Sequence, residues 1–192
     1  MMALIRTTLF VPYNNALKRR PLLTKAMTGL VLAGSGDLIA QRFEKTSSGA
    51  HKKSSIASDR DPLRRFLVFA SFGFIWTGPF NHYWLGYLAR KFPPNAGTEA
   101  LVKKMLVHHF LWNPFVYFPV FFSFNGFFLG LNRAEFEEWV RRDYFSNLMW
   151  CYIVWGPTTA IIFRTVPEHL QSVFMSALSL GWNSFLSWKS NR

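Results

Sequence analysis

Four long stretches of the chain carry no Asp, Glu, Lys or Arg: Phe66–Ala89, Met105–Asn132, Tyr144–Phe163 and Leu170–Trp188, of 24, 28, 20 and 19 residues. A helix rises about 1.5 Å per residue, so about 20 apolar residues suffice to cross the hydrocarbon layer of a bilayer. Helices of a soluble domain keep a charged outer face, and four uncharged stretches in one chain of 192 residues leave no such face. The pattern predicts an all-α protein, an integral membrane bundle of four or five spans. The fifth is "LLTKAMTGLVLAGSGDLIAQ", residues 22–41, which contains Lys25 and Asp37. Its Gly29, Ala33, Gly36 and Ala40 are spaced four, three and four apart, a small-residue stripe that lets a neighbouring helix backbone approach closely in lipid. The other reading of this segment is an amphipathic helix lying on the surface.

The spans carry their own breaks. Gly78, Pro79, Pro114, Pro119 and Pro157 fall well inside them, and proline lacks the N–H that would bond the carbonyl four residues earlier. The carbonyls of Ile75, Phe110, Phe115 and Ile153 are therefore expected to lose their partners, at a cost of several kcal/mol each if they face hydrocarbon. Asn81, His82, Asn113, Thr158 and Thr159 lie close to the breaks. Together these predict kinked helices around a polar interior, either hydrated or satisfied dry by neighbouring side chains.

Charge changes the picture only at the edges. The formal net charge of +12 comes from 22 basic and 10 acidic residues, and the cations cluster between spans, where they anchor to lipid headgroups. No basic-aromatic reading surface accompanies them, so nucleic acid is not an expected partner. Residues 1–21 form a basic N-terminal segment, and 22–192 a single helical membrane domain with a flexible Ser- and Lys-rich loop at 44–61. No acidic residue precedes Asp37, and Arg6, Lys18, Arg19 and Arg20 lie among hydroxyl-bearing residues. This composition suits a mitochondrial address as well as ordinary membrane flanking. "NRAEFEEWVRRD", residues 132–143, reads as a short helix on the membrane surface with Trp139 near the headgroups. Cys151 is the only cysteine, so no internal disulfide forms.

Four motifs then fall in order: "GDLIAQ" (Gly36–Gln41), "GPFNHYWLGYL" (Gly78–Leu88), "RDYFSNLMWCYIVWGP" (Arg142–Pro157) and "VPEHLQSVFMSALSLGWNSFLSWK" (Val166–Lys189). Over roughly Tyr13 to Lys189 the chain resembles the Mpv-seventeen and twenty-two-kilodalton peroxisomal membrane protein family. Asp61, Arg64 and Arg65 of "DPLRRF" match a further acidic-then-basic feature of that family. The resemblance implies an integral helical protein of the mitochondrial inner or peroxisomal membrane, channel-like towards small solutes and tied to mitochondrial DNA maintenance, with no enzyme mechanism. The chain departs from the pattern at His108-His109, where members carry Asp-Gln, and at Gly156, where Pro is usual. It also departs at Thr159, Ile162 and Gln171, where members carry Gln, Asn and Arg.

The candidates for the polar interior or pore lining are Asp37, Gln41, Asn81, His82, Asn113, Thr159 and Arg164. Asp37, an acid within a span, either pairs with Arg164 or sits at the headgroup boundary beside Gln41 and Arg42. His108 and His109 point about 100° apart on a helix and have no Cys or carboxylate at ligand spacing, so no metal and no cofactor is expected. No Gly-x-Ser-x-Gly elbow, P-loop or dinucleotide fingerprint is present. The expected protein is not an enzyme. It is a channel-like membrane protein of the mitochondrial inner membrane, with the peroxisomal membrane or a non-conducting scaffold as alternatives. Its partners are the lipid bilayer, small solutes and other copies of itself in a homo-oligomer.

Overall fold

A computed structural model describes residues 11–46 and 61–181, except 168, 172 and 176. Among the described residues the chain is helical throughout, with no strand. Helix α1 (Val11–Arg19) folds back on α2 (Pro21–Thr46) at Arg20. Next comes a rod made of α3 (Pro62–Ile75), a π-helical turn (Trp76–Phe80) and α4 (Asn81–Lys91). A short 3₁₀ turn (Pro94–Ala96) leads to a second rod, of α5 (Gly97–Leu106), a π-helical segment (Val107–Tyr117) and α6 (Phe118–Leu129). Helix α7 (Arg133–Thr165) follows, and helical residues recur from 169 to 181.

The junctions are set by local chemistry. Asp61 accepts from the Arg64 N–H at 2.8 Å and Pro62 opens α3, where a missing N–H costs nothing. Helix α6 ends at Gly130 with φ 71°, a left-handed residue that closes a double backbone cap: Leu131 N–H to the Gly126 carbonyl and Gly130 N–H to that of Phe127, both 3.0 Å. Two residues later Asn132 caps α7. Its side chain accepts from Glu135 N–H, and the Glu135 carboxylate accepts from Asn132 N–H, each at 2.9 Å. This reciprocal cap starts a helix that does not stop. The expected surface helix at 132–143 and the expected span at Tyr144–Phe163 are one helix of 33 residues. Trp139 is not an exposed surface residue but is buried with Phe118, Phe122, Leu148 and Cys151.

Helices α2 and α3 pack antiparallel through small residues. A Cβ on Gly73 would collide with the Gly29 carbonyl oxygen and lie 2.6 Å from the Ala33 Cβ. A Cβ on Gly78 would lie 2.6 Å from that of Ala26. Gly29, Gly36 and Ala40 of the stripe are buried, as expected of a contact face. Near the other end of the chain Ala177 and Gly181 are exposed, and Trp182 to Trp188, with the "WNSFLSW" ending, lie outside the described residues.

The prolines act through helix register. Pro79 and Pro114 both lie in π-helical segments, whereas α7 stays α-helical through Pro157. Pro119 sits in the first turn of α6. Within the second rod the Phe118 N–H bonds the Asn113 carbonyl, five residues back. That shift leaves the Pro114 carbonyl without a backbone donor. Its two candidate donors are gone, since Phe118 is engaged elsewhere and Pro119 has no N–H. The Tyr144 hydroxyl fills the gap, donating to the Pro114 carbonyl at 2.5 Å.

By length and composition, Pro21–Arg42 of α2 could cross a membrane. The helix continues to Thr46, three residues into the stretch read as loop, and 47–60 lie outside the described residues. Large apolar side chains face outward along the rods and α7: Phe115, Phe127 and Phe145 are 73%, 78% and 72% exposed. Between the rods, Trp76 lies between Phe72 and Phe80, and Trp84 stacks on Trp112 with ring centroids 4.0 Å apart.

Candidate functional site

Two charged residues of α2, Asp37 and Lys25, are matched by groups on the first rod. Asp37 is buried, and its Oδ1 lies 2.6 Å from the Arg65 Nε. Gln41, one turn on, donates from Nε2 to the Asp37 Oδ2 at 2.7 Å and to the Pro62 carbonyl at 3.0 Å. The adjacent Arg64 turns the other way and donates to the Phe128 carbonyl at 2.9 Å, with its guanidinium lying over Gly130. The sequence "DPLRRF" thus joins three helices. Asp61 caps α3, Arg64 caps the end of α6 and Arg65 neutralises Asp37 of α2. Twelve residues towards the start of α2, about 18 Å away at helical rise, buried Lys25 places its Nζ 3.1 Å from the His82 Nδ1.

A second polar group lies between the second rod and α7. The Thr159 hydroxyl donates to the Trp155 carbonyl at 2.5 Å. The same hydroxyl lies 3.1 Å from the Gly156 carbonyl and 2.6 Å from the His109 Nε2. The His109 Nδ1 lies 3.3 Å from the Asn113 Nδ2, and the same amide lies 3.4 Å from the Cys151 Sγ. His109 thus joins Thr159 to Asn113 in a chain of buried side chains. The Asn113 amide stands between the thiol and the imidazole. The neighbouring His108 turns to the first rod, where its Nδ1 accepts from the Trp84 indole N–H at 2.9 Å. One turn earlier, buried Lys104 holds its Nζ 4.1 Å from the centre of the Phe163 ring.

The structure therefore divides the sequence-derived candidates. It brings Asp37 to Gln41, and Asn113 to Thr159 through His109. His82 and Asn81 are half-buried on the first rod, His82 against Lys25. Arg164 is exposed in the last turn of α7 and does not pair with Asp37. That correction has a simple cause: the antiparallel α2–α3 pairing puts Arg65 opposite Asp37 first. Phe72 faces inward, stacked on Trp76, and is not a lipid-facing position. Sequence reasoning missed the roles of Lys25, Lys104 and Tyr144. For the two lysines the available signal was a cation inside or at the edge of an apolar stretch.

Comparison with known proteins agrees with the motifs. The model of the Mpv17 / PMP22 family matches residues 126–187. The chain is 29% identical to the mitochondrial inner membrane protein Mpv17 of Homo sapiens over 181 residues, covering 94% of this chain and 96% of that one. It is also 29% identical to peroxisomal membrane protein 2 of Bos taurus over 178 residues, 91% and 86% of the two chains. A third relative, PXMP2/4 family protein 1 of Dictyostelium discoideum, is 27% identical over 182 residues, 94% and 83%. No solved structure matches the chain. Along most of its length, then, this chain is similar to proteins named for the Mpv17 and peroxisomal membrane families, and its residues 126–187 match the Mpv17 / PMP22 family model.

Proposed function

We propose that this protein crosses the membrane several times, through α2, the two rods, α7 and the C-terminal segment, and forms a channel-like route for small solutes in the mitochondrial inner membrane. One observation carries the reading: Lys25, Asp37, Arg65, His109 and Thr159 are buried while Phe115, Phe127 and Phe145 point outward. In lipid, such groups are stable only when turned inward. The reading assigns the bundle no enzymatic chemistry, and it is supported by the Asn113 amide lying between the Cys151 thiol and the His109 imidazole. Relatives bear both mitochondrial inner membrane and peroxisomal membrane names. The acid-free basic N-terminal segment favours the mitochondrion, with the peroxisomal membrane as the alternative. Support of metabolic homeostasis and of mitochondrial DNA maintenance would follow from the solutes passed, and the protein would act alone or as a homo-oligomer.

Purified protein in planar bilayers should give discrete conductance steps. Silent bilayers would instead favour a non-conducting scaffold, a reading supported by the way the buried polar groups bond one another. Tagged protein should colocalise with an inner-membrane marker, and colocalisation with peroxisomes would overturn the placement.

A further inference from the structure

The fold back of α1 onto α2 leaves a groove of about 780 Å³ between them. The two helices are pinned by the Tyr13 hydroxyl, 3.0 Å from that of Thr28. Along the groove the α2 wall presents Leu23, Met27 and Val31, spaced four apart and each about half exposed. They form an apolar strip about 12 Å long. Arg19 and Arg20 stand at the end of the groove, at the bend between the helices, and both are exposed. No acidic residue occurs in the first 36 positions of the chain, so this end of the groove has an excess of positive charge.

We propose that the groove binds an anionic glycerophospholipid, its phosphate held by Arg19 and Arg20 and an acyl chain laid along Leu23, Met27 and Val31. The chemistry selects this occupant in two steps. An apolar strip ending in a cationic pair fits a molecule with an apolar tail and an anionic head. Guanidinium groups bind phosphate oxygens through two parallel hydrogen bonds, which a net-negative headgroup leaves unopposed and a choline headgroup opposes with its own cation. Two arginines acting on a charged headgroup correspond to roughly a ten- to thirty-fold preference over a zwitterionic lipid of the same chains.

The test is native mass spectrometry of the full chain in detergent, titrated with phosphatidylglycerol or phosphatidylcholine. Phosphatidylglycerol should be retained roughly ten- to thirty-fold better. The preference should vanish in Arg19→Gln/Arg20→Gln and be weakened, not lost, in Arg19→Lys/Arg20→Lys, which keeps charge without the fork. It should persist in Arg90→Gln/Lys91→Gln, which removes an exposed cationic pair at the far end of α4. Circular dichroism of each variant checks that the helices are intact. Undiminished preference in the double Gln variant would overturn the proposal. So would inorganic phosphate competing at the same concentration as the lipid, or a dimer whose formation excludes lipid from the groove. None of these readouts depends on conductance, so the lipid site and the channel reading can fail separately.

Discussion

Asp37 and Arg65 meet at 2.6 Å across the antiparallel α2–α3 interface, both buried, with Gln41 holding the second carboxylate oxygen. Burying either charge alone would be expensive, and removing one partner of a buried pair typically costs about 3–5 kcal/mol because the other is stranded. Asp37→Leu and Arg65→Met should each lower thermal stability in detergent by that order. The double variant should recover at least half of the loss, since it strands no charge. Additive losses in the double variant would show that the two side chains do not act as a pair.

Close backbone approach is the second feature open to mutation. Gly73→Ala places a methyl group against the Gly29 carbonyl and the Ala33 Cβ, and the helices must separate to admit it. Overpacking of this kind costs about 1–3 kcal/mol. The measurement is the thermal midpoint in detergent, and an unchanged midpoint would mean that α2 and α3 are not in contact at Gly73.

Tyr144 tests the account of the second rod. Tyr144→Phe removes only the hydroxyl that serves the Pro114 carbonyl, leaving an acceptor with neither a backbone nor a side-chain donor. An unsatisfied group of this kind costs about 1–3 kcal/mol. Restoring a donor by Pro119→Ala in the same chain should return part of that stability. If Tyr144→Phe is neutral, another donor reaches the carbonyl.

These residues also show what the sequence made legible. Charge-free runs and the small-residue stripe marked the helices and the α2 contact face, because both follow from local spacing. The need of Asp37 for a partner was legible, but its identity was not. Arg164 and Arg65 each sit at the edge of an apolar run, and only the pairing of α2 with α3 decides between them. The prolines announced breaks, yet the carbonyl left without a donor depends on a π register that no side chain encodes locally. Hence it is the Pro114 carbonyl that Tyr144 serves. The separation of His108 from His109 was readable as a 100° turn, and the two rings do bond to different helices, through Trp84 and Thr159. Trp139 was misplaced because the cap at Asn132 starts α7, and nothing in the charged run after it ends that helix before the apolar stretch begins.

The remaining prediction separates a hydrated path from a dry kink at Gly78-Pro79. Cysteine is introduced singly as His82→Cys, Asn113→Cys or Phe115→Cys in a Cys151→Ala background, and membranes are treated with a water-soluble maleimide. The thiolate attacks the reagent, and it forms only where water reaches the sulfur. Position 115 is 73% exposed on the outer surface and should be shielded by lipid, whereas position 113 is shielded by protein. Under the channel reading position 82, half-buried beside Lys25, should label at least tenfold faster than either. Lys25 would itself promote the thiolate, so the comparison is repeated with Lys25→Met. A rate that falls but stays above that of position 115 reports water independently of the cation. If position 82 is as inert as 115 in both backgrounds, the first rod is sealed by its own side chains, and the scaffold reading replaces the channel.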